Sequence, residues 1–144
     1  MKTPPFILLV EDNEQDEILI IKTLQRNNVR NEIKVAHDGA EALDILFNET
    51  SALYHQDLPQ LILLDLKLPK IDGLEVLKEI RRHTRTRLVP VVILTTSKEE
   101  SDLISGYEFG ANSYVRKPVD FREFTEAVKS LGTYWLILNE RAPL

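Results

Sequence analysis

Apolar and polar residues along this chain follow two alternating periods. Phe6–Val10, Leu61–Leu64 and Val91–Leu94 are short, unbroken apolar runs, the pattern of strands covered on both faces of a parallel sheet. Ile33–Ala36 and Ser113–Val115 are weaker runs with one poorer face, and belong at sheet edges. Helical patterns separate them. Glu17–Asn28 carries Ile18, Ile21, Leu24 and Gln25 on one stripe, and Gly39–Asn48 carries Ala42, Leu43, Leu46 and Phe47. Leu74–His83, with Leu74, Leu77 and Ile80 or Arg81, follows the start signal Asp72–Gly73. Leu103–Phe109 closes at Gly110, a left-handed helix stop. Phe121, Phe124, Val128, Leu131, Trp135 and Leu138 recur at spacings of 3, 4, 3, 4 and 3, with Asp120 placed to cap that helix.

A βα unit repeated five times predicts a three-layer α/β domain with right-handed crossovers. Thr50–Pro59, polar and ended by proline, is the one long connection and reads as a surface loop. Prolines 4 and 5 precede the first strand, and no linker, repeat or low-complexity segment divides the chain. The expectation is a single domain over 1–144, with an extended C-terminal helix and tail from about residue 132.

Composition then removes whole classes of function. With no cysteine, thiol catalysis, thiolate-bound zinc and iron–sulfur chemistry are excluded. A net charge of -5, with no long run of either sign, argues against non-specific binding to nucleic acid or an anionic membrane. No apolar stretch is long enough to span a bilayer, and the start lacks a secretory signal, so the chain reads as soluble and cytoplasmic.

The chemistry-bearing residues gather at strand ends. Glu11 and Asp12 follow the first strand, Asp65 the third, Thr95 the fourth and Lys117 the fifth. Ligands of open α/β sheets bind beyond the carboxyl ends of the strands. Taken singly, each residue has a plainer role as a cap, a turn residue or a solvated charge. Together they deliver three acids, a hydroxyl and an ammonium to one rim. Converging carboxylates repel, and a hard divalent cation such as Mg²⁺ relieves them. Zinc is poorly supported, because His37, His55 and His83 lie on different elements and read as surface residues. Lys117 and Thr95 suit the charged oxygens of a phosphoryl group. Asp65, ending the central strand, is the natural nucleophile for an acyl phosphate.

Competing sites fail on the same residues. The turn Glu11–Glu14 is acidic where a dinucleotide fold needs glycines, and no P-loop, Gly-x-Ser-x-Gly elbow or zincin motif occurs. Phosphohydrolases with an aspartyl nucleophile place a second aspartate two residues later; here that position is Lys67.

Glu11–Asp12, the run Leu63-Leu64-Asp65-Leu66-Lys67-Leu68-Pro69-Lys70-Ile71-Asp72-Gly73, Thr95, Gly110–Ala111 with Tyr114, and Lys117–Pro118 occur in that order. In order and spacing they resemble the receiver domain of two-component response regulators, from about Phe6 to the helix containing Leu131. The resemblance implies a flavodoxin-like (βα)5 fold with a five-stranded parallel sheet in the order 2-1-3-4-5. It implies a Mg²⁺-dependent phosphoacceptor switch rather than a metabolic enzyme, with Asp65 accepting the phosphoryl group from a histidine kinase. By the same resemblance, Asp12 and Asp65 bind the ion directly, the Lys67 backbone carbonyl is a third ligand, and Glu11 acts mainly through water. Thr95 and Lys117 would hold phosphoryl oxygens, and Tyr114 would be the aromatic that swings inward. Pro118 is a turn residue and a candidate for a cis peptide bond. Thr96 and Arg116 are variations on the family pattern.

Gly110–Val115, Lys117–Phe121, Tyr134-Trp135-Leu136 and the Thr50–Pro59 insertion are similar to the stand-alone receivers associated with bacterial phytochromes. This implies a sensor histidine kinase as partner, of the phytochrome photoreceptor type, and a homodimer. Tyr134–Leu138 also sets bulky apolar side chains all round the last helix. Tyr134, Trp135, Ile137 and Leu138 are therefore expected at a dimer interface, unless the last turn folds back over the sheet. Two other functions compete: a receiver-like binding module without phosphotransfer, and a small Mg²⁺-dependent phosphatase. The intact set Asp12, Asp65, Thr95 and Lys117 argues against the first, and the lack of a general base beside Asp65 against the second.

Overall fold

Five β-strands alternate with five α-helices in the computed structural model, which describes residues 5–143. Pro4 and the outermost ends of the expected 1–144 domain lie outside the described residues. The elements are β1 (Ile7–Val10), α1 (Glu14–Arg26), β2 (Ile33–Ala36), α2 (Gly39–Phe47), β3 (Leu61–Leu64), α3 (Gly73–Arg82), β4 (Val91–Thr95), α4 (Glu100–Glu108), β5 (Ser113–Arg116) and α5 (Phe121–Thr133). A π-helical segment, Tyr134–Leu138, continues α5. The strands form one parallel sheet in the order β2-β1-β3-β4-β5, as the sequence predicts. Val10 stands level with both Ala36 and Leu64, so three strands end on one rim.

Successive strand side chains go to opposite faces. Leu8, Val10, Ile62, Leu64, Val91 and Ile93 meet Ala42, Ile45, Leu46, Val76, Leu77 and Ile80 of α2 and α3. Leu9, Leu61, Leu63, Val92 and Leu94 meet Ile20, Leu24, Phe124, Val128 and Leu131 of α1 and α5. Each buried aliphatic side chain contributes about 1.5–3 kcal/mol, so both helical layers are held to the sheet. Four helices also begin on a side-chain cap. Asn13, Asp38, Asp72 and Asp120 accept backbone N–H groups of the first turns of α1, α2, α3 and α5, each cap worth about 1 kcal/mol.

Two helical faces differ from the periodic reading. In α1 the buried residues are Ile20, Thr23 and Leu24, while Ile18 and Gln25 face solvent. The run Ile18-Leu19-Ile20-Ile21 satisfies more than one helical phase, and Asp16, reaching Lys117 at 2.8 Å, fixes the rotation. At the C-terminus the expected helix to Leu138 stops being α-helical after Thr133. The Asn139 N–H donates to the Tyr134 carbonyl at 2.6 Å, a five-residue bond. This wider turn breaks the 3.6-residue period. Trp135 and Leu136 consequently fold back onto the α1–α5 core, while Leu138 turns outward. Phe121, also expected on the buried stripe, is 69% exposed at the first turn of α5.

Candidate functional site

The carboxyl rim of the sheet is built by ladder hydrogen bonds that run up to the acids. Glu11 N–H donates to the Ala36 carbonyl at 2.9 Å, and Asp65 N–H to the Val10 carbonyl at 3.1 Å. Glu11, Asp12 and Asp65 thereby place carboxylate oxygens within 4.8 Å of one another. Glu11 and Asp65 are buried, and Asp12 is exposed at the mouth.

Lys117 closes the cluster from below. Its N–H donates to the Thr95 carbonyl at 2.7 Å, continuing the β4–β5 ladder. Its Nζ donates to Glu11 Oε2 at 2.7 Å, Asp16 Oδ2 at 2.8 Å and Asp65 Oδ2 at 3.0 Å. An ammonium has three donors, and all three are used. Removing one member of such a buried pair leaves an uncompensated charge, at a cost of about 3–5 kcal/mol.

Burial pushes the Glu11 carboxyl up to about 7; Lys117 pulls it down only in part, and the Asp65 charge adds to the rise. Burial opposes the Lys117 charge too, but the Asp65 carboxylate and the bonds to Asp16 and Glu11 outweigh it, so Lys117 is held above its ordinary range. A cluster of oxygen donors with one buried carboxyl raised towards neutrality fits a hard divalent cation, which would displace that proton. No histidine joins it among the described residues. His37 is exposed, whereas His55 stacks on Phe6 at 3.9 Å and His83 on Phe47 at 4.1 Å, less open than the sequence suggested.

The β3–α3 loop carries the remaining parts. Lys67 N–H donates to Asp65 Oδ1 at 3.2 Å. A Cβ on Gly73 would stand 2.2 Å from the Asp65 carbonyl oxygen, so only glycine lets α3 start this close to the strand end. Thr95 is buried, its Oγ1 accepting from Ser97 N–H at 3.4 Å. Tyr114 is half-buried, and its hydroxyl donates to the Ser97 carbonyl at 3.4 Å. The Lys117–Pro118 peptide bond is trans, since no cis bond occurs among the described residues. Pro118, a candidate for the cis isomer, does not adopt it; trans is the lower-energy form by about 0.5–1 kcal/mol.

Sequence reasoning missed Asp16. In the first turn of a helix an acid normally serves the helix dipole, and nothing in the spacing marks it as a partner of Lys117. The four residues expected at a dimer interface divide. Tyr134, Ile137 and Leu138 are 49%, 66% and 67% exposed, while Trp135 is half-buried beneath Tyr134 in an edge-on contact of 5.0 Å.

The fold and this acidic rim define a receiver. Residues 7–129 match the response regulator receiver domain, and the chain belongs to that family. It is 43% identical over 141 residues to FilR2 of Methanothrix harundinacea, named a probable methanogenesis regulatory protein, covering 97% of this chain and 88% of that one. It is 38% identical to the response regulator Rcp1 of Synechocystis sp., covering 92% and 90%. The Mn²⁺-bound structure of Rcp1 superposes with a TM-score of 0.91 at 36% identity, over 97% of this chain and 100% of that one. The phosphorylated cyanobacterial phytochrome response regulator RcpA gives 0.90 at 36% identity, over 96% and 99%.

The chain is therefore a receiver closely related to phytochrome-associated response regulators, with an acidic pocket for aspartyl phosphorylation and a divalent metal. Receivers of this family typically show only limited, self-catalysed phosphotransfer and dephosphorylation. Among the described residues no helix is long and apolar enough to cross a membrane.

Proposed function

We propose that this chain is a one-domain switch, spanning 1–144, in which Asp65 accepts a phosphoryl group from the phosphohistidine of a sensor histidine kinase. An Asp65 carboxylate oxygen bonds to phosphorus as the phosphorus–nitrogen bond breaks. The electron pair stays on the imidazole, which takes a proton from solvent. Asp12, Asp65 and the Lys67 carbonyl would hold Mg²⁺, with Glu11 reaching it through water; when bound, the ion neutralises charge on the transferring oxygens. Lys117 keeps its ammonium beside Asp65 throughout and passes from the carboxylate to a phosphoryl oxygen. Thr95 donates its hydroxyl to another, and Tyr114 follows it inward. The observation that carries this reading is one buried lysine shared by Glu11, Asp16 and Asp65 beside an oxygen-only cation site.

The likeness to RcpA and Rcp1 supports a phytochrome-type photoreceptor kinase as the donor. The exposed apolar side chains of Tyr134, Ile137 and Leu138 support a homodimer through the C-terminal face, with Trp135 as the floor beneath them. The net charge of -5 favours protein partners over nucleic acid or membrane, and the absence of a secretory signal in the sequence supports a cytoplasmic location. The test is incubation with Mg²⁺ and acetyl phosphate, followed by intact mass. Stable addition of one alkali-labile phosphoryl group is the expected result. Continuous phosphate release would instead identify a phosphatase, and no labelling a binding module.

A further inference from the structure

Helix α4 starts without a side-chain cap. Its first turn is tied down by Asp102 instead, whose side chain is 15% exposed. Asp102 Oδ2 accepts from Ser97 Oγ at 2.5 Å and from Lys67 Nζ at 3.2 Å. Ser97 lies two residues beyond Thr95, and Lys67 two residues beyond Asp65. One carboxylate on α4 thus joins the loops after β3 and β4, at the mouth of a cleft of about 480 Å³ that Asp12, Lys67, Asp72 and Asp102 line.

We propose that Asp102 is a positioning residue that holds the Lys67 ammonium on α4 in the unphosphorylated protein and yields it to the phosphoryl group, so that phosphorylation unties the start of α4 from the β3–α3 loop. The inference rests on Asp65 as the acceptor. Lys67 is free to make the exchange: its side chain is 57% exposed and Asp102 is its one ion-pair partner among the described residues. Its backbone N–H already lies on Asp65 Oδ1 at 3.2 Å, so the new anion forms beside it. A phosphoryl group offers about two negative charges and three acceptor oxygens against the single charge of Asp102. Ser97, buried and bonded to Asp102, keeps that carboxylate from following. Lys117 cannot answer in place of Lys67 without giving up a carboxylate, because its three donors are committed. Once Lys67 leaves, the start of α4 stays tied through Ser97 to the loop after β4 but loses its ion pair to the β3–α3 loop, and its one buried residue is Gly106.

The test uses the full chain labelled with ¹⁵N, with amide and lysine Nζ spectra taken before and after Mg²⁺ and acetyl phosphate. Wild type, Asp102→Asn, Lys67→Gln and the double variant are compared. Phosphorylation of wild type should move the Lys67 Nζ signal and the amides of the first turn of α4. Each single variant, unphosphorylated, should move the same amides part of the way in the same direction, and the double variant no further. With its competitor gone, Asp102→Asn should raise the ratio of labelled to unlabelled protein about two- to fivefold, the range of an exposed ion pair. A labelled wild type whose Lys67 and α4 signals stay in place overturns the exchange and leaves Asp65 as acceptor. Additive shifts in the double variant overturn it as well. A chain that takes no label at all overturns both this inference and the proposed function. Should Asp102→Asn lose its fold, Lys67→Gln carries the same comparison from an exposed loop side chain.

Discussion

Helices α3 and α4 are neighbours on one face of the sheet and nearly equal in length, ten residues against nine, yet they are held by different means. Asp72 caps α3, and Gly73, Val76, Leu77 and Ile80 are buried beneath it. No side chain caps α4, which buries Gly106 alone. The next strand shares this looseness, with Tyr114 and Val115 only half-buried. The contrast divides the molecule by task. Packing and capping of α3 fix the loop that carries Asp65, while the α4–β5 side is joined to the site by polar contacts that a new charge can rearrange. Few buried apolar contacts are the physical content of local mobility.

The largest effect should separate the two helices outright. Ile80→Ala removes buried volume under α3 and is expected to cost about 2–5 kcal/mol in denaturant unfolding. Ile104→Ala on α4, where the side chain is 51% exposed, should stay within about 0.5 kcal/mol of wild type. Equal losses would break the comparison. The glycines sharpen it. Gly73→Ala drives a Cβ onto the Asp65 carbonyl oxygen at 2.2 Å, and overpacking against backbone should cost about 1–3 kcal/mol. Gly106→Ala meets the tip of the Ile93 side chain at 2.8 Å. That contact is the end of a flexible side chain, the next is the Tyr114 ring at 3.2 Å, and alanine favours helix, so a smaller loss than at Gly73 is expected. A Gly73→Ala protein as stable as wild type would remove the close approach as an argument.

Two carboxyls on the two sides are displaced in opposite directions. Burial lifts Glu11 to about 7, whereas the Ser97 hydrogen bond holds Asp102 below its ordinary range. Between its ordinary value of 4.5 and about 7, Glu11 binds more proton in the folded chain than in the unfolded one. Its contribution to the stability of the ion-free protein is therefore present below that window and lost as pH rises through it. A bound cation needs the charged form. Divalent-ion affinity measured by calorimetry should accordingly tighten from about pH 6 to about pH 8, by at most about tenfold per unit. Asp102 is charged throughout that range and adds nothing to the slope. A flat profile would take Glu11 out of ion binding. The smallest contrast lies in the caps: Asp72→Ala should cost about 1 kcal/mol, and Glu99→Ala, which loses no cap bond, close to nothing.

Legibility in the sequence followed the same division. Glu11, Asp12, Asp65, Thr95 and Lys117 were readable because each ends a strand, and three of those strands are unbroken apolar runs with no second interpretation. The phase of α1 was not, since four consecutive apolar residues fit more than one face. The π-helical turn at Tyr134–Leu138 was hidden because 3.6-residue periodicity cannot register a switch to π geometry. Asp16 and Asp102 both sit in first turns of helices, where acids are ordinary, and only the fold brings them to Lys117 and Lys67. The Pro118 isomer turns on an energy difference too small for local sequence to decide.

Intact-mass labelling of wild type and Asp65→Asn by acetyl phosphate, with Mg²⁺ and again with chelator, tests the central claim most directly, with circular dichroism confirming that both chains fold. One phosphoryl group on wild type in the presence of the ion, and none with chelator or on Asp65→Asn, is the predicted result. Equal labelling of Asp65→Asn, or labelling of wild type that ignores the chelator, would contradict the assignment of Asp65 and its acidic neighbours as an ion-dependent phosphoacceptor site.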